Sequence, residues 1–138
     1  MIIVSTKGRY ALRVMLDIAE QDTENFIPLE EIAMRQGISK KYLEVILKSL
    51  VENNLIKGVR GKGGGYKLTR PPQDYTVYEI LELTKEINAV VDCLKSNTPP
   101  CERSNYCKTL PMWKKFDDLT RDFFSNITLK DLLDDIDK

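Results

Sequence analysis

The chain has 138 residues, of which 42% are apolar and 30% charged, a composition typical of one globular domain. It contains no histidine, which excludes Ser-His-Asp and Cys-His nucleophile systems, two-histidine zinc protease sites and Rieske centres. The formal net charge is zero, yet residues 35–70 contain nine basic residues and only two acidic ones. Such a block indicates a polyanion as partner or, more commonly when charge is considered alone, a solvated basic face.

The N-terminal segment and the cysteines point to a reducing compartment. No apolar run approaches the roughly 18 residues that a membrane span requires. Lys7, Arg9 and Arg13 stand where a secretion signal needs its apolar stretch, so we expect a cytoplasmic protein that does not associate with membranes. Three cysteines between positions 93 and 107 then favour metal or redox ligands over a disulfide framework.

Three helices are predicted in the first part of the chain. Ser5 is suited to cap a first helix, whose apolar residues recur at helical spacing. Pro28 and Gly37 bracket a short second helix as its first-turn proline and its C-terminal cap. Ser39 is expected to cap a third helix that ends near residues 53–54. The inward face of this third helix consists of Leu43, Ile46, Leu47 and Leu50.

The remaining elements are a hairpin and three further helices. Residues 55–60 and 66–70 are strand candidates, and four glycines among positions 61–65 predict a tip with an unusually free backbone. A Thr76-x-x-Glu79 capping box predicts a helix through about residue 86. Residues 88–109 are expected to be irregular. Pro111 begins a long amphipathic helix, and a Thr128-x-x-Asp131 box opens a last short one.

Helix, short turn, helix and glycine-tipped hairpin are the order of a winged helix-turn-helix. We therefore expect a mostly α fold with a small β-hairpin wing and a long dimerisation helix. The charged side chains of the third helix lie opposite its apolar face, as a helix in a major groove requires. These charged residues are Lys40, Lys41, Glu44 and Lys48.

The hairpin adds Arg60, Lys62 and Lys67 around the glycines. An arginine beside a backbone without side chains can enter a narrow minor groove, where the negative potential is enhanced. A nucleotide site is the weaker interpretation, because the GKGGG segment is not followed by a helix and lacks the Lys-Ser/Thr of a P-loop. The predicted DNA-binding set is Lys40, Lys41, Tyr42, Glu44, Lys48, Arg60, Lys62, Gly63 and Gly64.

The long helix carries aromatic residues at helical spacing. They offer more apolar surface than a small domain covers by itself, so we expect dimer and core contacts here. A ligand pocket is the weaker alternative, because the spacing is simply that of a helix. The predicted stripe consists of Trp113, Phe116, Thr120, Phe123, Phe124 and Ile127.

Five parts of the chain together resemble a known family. They are STKGRYALRVMLDIA, IAMRQGISKKYLEVILKSL, LIKGVRGKGGGYKL, the cysteine loop and FFSNITLKDLL. They are similar to the IscR-type, or Rrf2, family of iron–sulfur cluster regulators, which are bacterial winged-helix repressors. The similarity extends over about residues 3–134, and VRGKGGGY after a helix-turn-helix is a specific signature.

The resemblance implies a homodimer in which the helix at about residues 111–126 packs against its partner. Two recognition helices then bind the halves of a palindromic operator in double-stranded DNA. In this family Glu44 corresponds to a base-reading residue and Arg60 to the wing residue in the minor groove, whereas Lys41 replaces a smaller polar residue. The resemblance also implies an iron–sulfur cluster, 2Fe–2S in preference to 4Fe–4S, with the ligands Cys93, Cys101 and Cys107.

Two departures from the family pattern concern this cluster. The first gap between cysteines has seven residues, longer than in the type member. Leu110 stands where the family has a histidine as fourth ligand, and Arg9 where some relatives use an acid. The fourth ligand is therefore expected from a carboxylate such as Asp92 or Glu102, from the partner subunit or from a small molecule.

These observations predict a homodimeric, sequence-specific transcriptional regulator, not an enzyme, whose operator binding depends on the cluster. Residues 1–75 are expected to form the DNA-binding domain with contributions from 76–87. Residues 88–109 form the sensor loop, and residues 110–138 the dimerisation helix and a C-terminal helix. One alternative is a cluster-free regulator of the same fold that responds to thiol oxidation, zinc or a protein partner. Another is a winged-helix protein-interaction adaptor, against which the basic block at 35–70 argues.

Overall fold

The computed structural model describes residues 4–21, 24–83, 94 and 99–135. The predicted order of helix, turn, helix and hairpin is confirmed, and a single turn of 3-10 helix at Pro72–Asp74 follows the hairpin. The elements are α1 (Thr6–Glu20), α2 (Leu29–Gln36), α3 (Lys40–Glu52), β1 (Ile56–Val59), β2 (Gly65–Leu68), α4 (Val77–Glu82), α5 (Leu110–Ser125) and α6 (Leu129–Asp134).

The predicted caps set the helix boundaries. The Ser5 hydroxyl accepts the backbone N–H of Gly8 at 3.0 Å, and Ser39 caps α3 in the same way. Gly37 follows α2 with φ 65°, a left-handed conformation that glycine adopts without strain. Pro28 precedes the first residue of α2 rather than lying in its first turn. Since the caps involve residues at most four positions apart, they could be predicted from local sequence.

The strands of the wing are shorter than predicted. Glycine is needed in the wing for close packing as well as for backbone flexibility. β1 and β2 are antiparallel, with Ile56 opposite Leu68 and Val59 opposite Gly65. Ile27 makes two further backbone hydrogen bonds, of 2.8 and 2.9 Å, to Tyr66. A Cβ on Gly65 would lie 2.2 Å from the Ile27 carbonyl oxygen. Only glycine therefore permits this approach of the wing to the segment before α2.

One apolar core joins α1, α2, α3 and the wing. The four predicted inward residues of α3 are all buried in this core. Leu129 of α6 is also fully buried in this core. The chain returns to it after α5, where Thr128 pairs with Thr76 in an isolated antiparallel bridge. The C-terminal helix thus packs against the winged domain instead of extending away from it.

Tyr75 is a fully buried residue that fastens the base of the wing, and the sequence patterns did not predict this role. Its hydroxyl donates to the Leu55 carbonyl at 2.6 Å. It also accepts the backbone N–H groups of Thr69 and Arg70 at 3.0 and 3.1 Å. These bonds hold Leu55, directly before β1, close to Thr69 and Arg70, which directly follow β2.

Tyr75→Phe is expected to lower the free energy of unfolding by about 1–3 kcal/mol, because buried backbone groups lose their partner without a change of ring volume. Denaturant unfolding measures this change. Tyr106→Phe is the matched control, since its ring is 64% exposed. A Tyr75→Phe effect as small as that of the control would contradict the fastening role.

The two predicted capping boxes differ in the structure. At α6, Thr128 and Asp131 form both bonds of the box, as predicted. At α4, Thr76 accepts the N–H of Glu79, but the Glu79 carboxylate instead forms an ion pair of 2.7 Å with Arg70. In the structure α4 extends from Val77 to Glu82. Its predicted continuation toward residue 86 falls largely outside the described residues.

The residues of the predicted aromatic stripe on α5 have two different surroundings in the structure. Phe123 is 60% exposed, whereas Phe124 packs on Val77 and Leu81 of α4. Adjacent positions on a helix point about 100° apart, so the two residues have different surroundings although their rings meet edge to face with centroids 5.3 Å apart. One face of α5 therefore attaches to the winged domain, and another stays uncovered in the single chain.

Candidate DNA interface and cysteine loop

The predicted recognition face lies on the outside of α3. Lys40, Lys41, Glu44 and Lys48 are all exposed. Glu44 forms no ion pair in the described ranges, with neither Lys40 nor Lys48 of the same helix. Its carboxylate is free to accept a hydrogen bond from a base edge.

Tyr42 lies at the edge of this face and is half-buried. Its ring packs edge-on against Tyr10 with the centroids 5.8 Å apart, and Arg13 stacks on Tyr10 at 4.9 Å. Tyr42 therefore packs against α1, and its predicted contact with DNA stays a prediction.

The wing tip presents the other predicted contacts. Arg60, Lys62 and Gly63 are exposed, and Gly64 is half-buried. A Cβ on Gly64 would lie 2.3 Å from the carbonyl oxygen of Val59, so this tight turn requires glycine. The backbone tip and two cations therefore form one protruding surface.

Lys67 was expected around the same glycines but points elsewhere. Its ammonium lies 4.9 Å from the centroid of the Phe26 ring, beside the segment that leads into α2. This cation–π contact places the charge on the flank of the wing.

A buried aspartate that sequence reasoning missed fixes the helix-turn-helix on α1. Asp17 is only 1% exposed, and its carboxylate accepts hydrogen bonds from Arg35 and Gln36 of α2, each as short as 2.8 Å. The hydrogen bond with Asp17 raises the pKa of Arg35. The available signal was an acid inside the apolar stripe of α1, between Met15 and Ile18.

The cysteine loop is described from residue 99 onward. Cys101 is exposed and Cys107 half-buried, and Cys93 lies outside the described residues. The Cys107 sulfur lies 3.3 Å from the hydroxyl of Thr109, the residue that precedes α5. The pKa of Cys107 is lowered by the Thr109 side chain, by the backbone N–H groups of Thr109 and Leu110, and by the charge of Arg103. This environment favours the thiolate, which is both the metal ligand and the nucleophile.

The described ranges contain no cluster of three cysteine or carboxylate side chains that could hold a metal ion. This finding leaves the three-cysteine set untested, because Cys93 is not among those residues. Of the other positions relevant to a fourth ligand, Glu102 is exposed in the loop, Leu110 begins α5, and Asp92 lies outside the described residues. Arg9 is exposed and donates to Thr6.

The uncovered face of α5 forms an apolar seam, which we define as Met112, Phe116, Leu119 and Phe123. Their spacing of four, three and four positions is that of a coiled-coil interface. Met112, Leu119 and Phe123 are 52%, 66% and 60% exposed. The seam begins five residues after Cys107, so the cysteine loop leads directly into it.

Residues 4–135 match the model of the Rrf2 family, described as an iron-dependent transcriptional regulator. The chain belongs to the Rrf2 family. The resemblance found in the sequence is therefore confirmed over almost its whole predicted extent.

Curated relatives and solved structures agree with this membership. The Rrf2-family chain is 36% identical to the HTH-type transcriptional regulator IscR of Pectobacterium carotovorum over 130 residues, which are 94% of this chain and 78% of that protein. The IscR structure from T. potens is similar with a TM-score of 0.75 and 34% identity, covering 96% of this chain and 86% of the other. CymR, the global cysteine regulator of B. subtilis, has a TM-score of 0.75 and 30% identity over 96% of each chain.

These comparisons confirm the winged-helix fold class and DNA-binding regulation of transcription as the function of this Rrf2-family chain. The relatives are named regulators, which are not enzymes. In the described ranges, no helix is long and apolar enough to cross a membrane.

In this Rrf2-family regulator, Glu44→Ala is expected to keep or raise affinity for random DNA, because an acid on the cationic face repels phosphates. Base preference at one position of the bound sequence should relax by about 1–3 kcal/mol, since a carboxylate accepts from cytosine N4. Binding selection from a randomised DNA pool measures the base preference, and Glu52→Ala at the end of the same helix is the control for that preference. Unchanged base preference would show that Glu44 does not read a base.

Proposed function

We propose that two copies of the chain bind a palindromic operator, with α3 in the major groove and the wing tip in the adjacent minor groove. Support comes from the exposed Lys40, Lys41, Glu44 and Lys48 on α3, with Tyr42 at their edge. Arg60, Lys62, Gly63 and Gly64 supply the wing contacts, with Arg60 directed to the minor groove. The protein acts on DNA in the cytoplasm, as a repressor.

We also propose that the apolar seam of α5 forms the homodimer interface. An exposed seam with coiled-coil spacing is completed when an identical seam packs against it. In this arrangement residues 1–75, with 76–87, are the DNA-binding domain. Residues 88–109 are the sensor loop, and residues 110–138 provide the dimerisation helix and the C-terminal helix.

The signal in this proposal is an iron–sulfur cluster held by Cys93, Cys101 and Cys107, with 2Fe–2S favoured. The donor chemistry fits, because thiolates are the soft ligands that such clusters require and Cys107 is held toward its thiolate form. Since the chain has no histidine, the fourth ligand is an oxygen donor such as Glu102 or Asp92, a side chain of the partner subunit or a small molecule. When bound, the cluster supplies sensitivity to oxygen and iron.

The single observation that carries the sensor proposal is the position of Cys107. Its sulfur lies 3.3 Å from the hydroxyl of Thr109, the residue directly before α5, and the seam follows within the next two turns. A change at this sulfur can therefore shift the start of α5 and with it the spacing of the two recognition helices.

A specific observation also favours thiol oxidation as a second signal. Thiolate character and access make a cysteine sensitive to oxidation, and Cys107 has a lowered pKa while Cys101 is exposed. The global cysteine regulator CymR is also among the similar structures, and one similar structure is an oxidised form of CymR from Staphylococcus aureus, 31% identical to this chain.

Purification without oxygen separates these two signals. We expect coloured protein that contains iron and sulfide, and we expect Cys93→Ser, Cys101→Ser and Cys107→Ser each to be colourless. Ser104→Ala, in the same loop, is the matched control and should keep the colour. Air should remove the cluster and change operator affinity.

Colourless protein from that preparation would contradict the cluster. A change of operator affinity on thiol oxidation would then support the second signal, with Cys107→Ser abolishing it. If neither metal nor oxidation changes operator affinity, the cysteine loop is not a sensor.

A further inference from the structure

An apolar side chain interrupts the charged face of α3. Val45 is 52% exposed, follows Glu44 directly and lies four positions after Lys41 and three before Lys48. Positions three or four apart are neighbours on a helix surface, so its methyl groups lie between the two lysines. The exposed valine thus sits within the surface that the proposed function places in the major groove.

The charges at the other end of α3 indicate which part of this face meets DNA. Glu52 ends the helix two turns after Val45, and both residues line one groove together with Lys48 and with Glu82 at the end of α4. The two acids repel phosphates at the C-terminal end of α3, whereas its first three turns carry Lys40, Lys41 and Lys48. The duplex therefore approaches the part of the helix that contains Val45, consistent with base contacts from the N-terminal residues of recognition helices.

The major groove offers one apolar group on a normal base edge, the C5-methyl of thymine. A valine between cations gains nothing from phosphates or from hydrogen-bonding base edges. It also has a lower helix propensity than alanine. Contact with a methyl group is the base interaction that its chemistry favours.

We propose that Val45 is a specificity-determining residue that contacts the C5-methyl of a thymine in each half-site, within two base pairs of the base read by Glu44. This inference rests on the proposed function and deepens it, because it names a second base and the chemistry by which that base is read. A cytosine methylated at C5 presents the same group and should substitute for the thymine.

Replacing that thymine by deoxyuridine removes only the methyl group. Burying one such group contributes roughly 0.8 kcal/mol, so the affinity should fall about fourfold for each half-site changed. Val45→Ala should bind thymine and deoxyuridine sites equally. Val59→Ala is the matched control, since Val59 lies on β1 of the wing and is 45% exposed.

The experiment first selects an operator from random DNA with the wild-type chain. It then compares wild type, Val45→Ala and Val59→Ala on duplexes that carry deoxyuridine at each selected thymine in turn. Wild type and Val59→Ala should show the loss at one thymine, and Val45→Ala should not. Circular dichroism confirms that the variants keep their helices.

Equal sensitivity of Val45→Ala and wild type at every thymine would overturn the role of Val45, and so would the absence of any methyl dependence in the wild type. Both results leave operator binding itself intact. Failure of the wild type to select any sequence would instead contradict the proposed function, and the assignment of Val45 with it.

Discussion

Raising the salt concentration from about 50 mM to about 200 mM is expected to weaken operator binding by roughly 10³–10⁵-fold. The cations of α3 and the wing, doubled in a dimer, can neutralise on the order of 6–10 phosphates, which corresponds to a log–log slope near −5 to −9. The exposure of Lys40, Lys41, Lys48 and Lys62 supports this number of contacts. Fluorescence anisotropy with labelled duplexes over a salt series measures the slope.

Single substitutions locate the cations responsible. Lys41→Gln should make the slope shallower by about 1–2, because each dimer loses two phosphate contacts of roughly 0.9 each. Lys114→Gln is the matched control, since Lys114 is exposed on α5 away from α3. A wild-type slope shallower than about −2 would show that the basic block does not face DNA and would support a protein-interaction adaptor instead.

Leu119→Glu is expected to convert the proposed homodimer into a monomer of 15.9 kDa and to weaken operator binding by about 10²–10⁴-fold. Leu119 is 66% exposed in the single chain and lies in the middle of the apolar seam. A charge there must be desolvated if the seam is covered by its counterpart. Each half-site would then bind an independent monomer. Binding of one monomer would no longer raise the effective concentration of the second at the other half-site.

Analytical ultracentrifugation at micromolar concentration gives the oligomeric state, and anisotropy gives the affinity. Ser125→Glu is the matched control, because it introduces the same charge at an exposed position on the opposite side of α5. A wild-type monomer, or a Leu119→Glu dimer, would contradict the assignment of the seam. The salt dependence tests the DNA face separately, so the two predictions can fail independently.

Local sequence determined a large part of this protein. The caps at Ser5, Ser39 and Thr128 and the turn at Gly37 act over at most four residues. The apolar period of α3 places its charged face outward wherever the helix packs. Together with the glycine-rich tip, these signals were sufficient for the winged-helix fold, and they name the candidate DNA contacts, whereas the family was indicated by the resemblance of five segments of the chain.

Only the tertiary structure decided the contacts between distant segments. Asp17 binds α2 and Tyr75 fastens the wing across 18 to 20 positions of sequence, and neither partner can be recognised from periodicity. Glu79 pairs with Arg70 instead of completing its local box, because a guanidinium from the preceding segment lies within reach. Phe124 packs on α4 whereas the neighbouring Phe123 stays exposed, although their rings lie edge to face 5.3 Å apart. Helical periodicity shows which residues of a helix share one apolar face. Which surface packs against that face depends on the three-dimensional path of the chain.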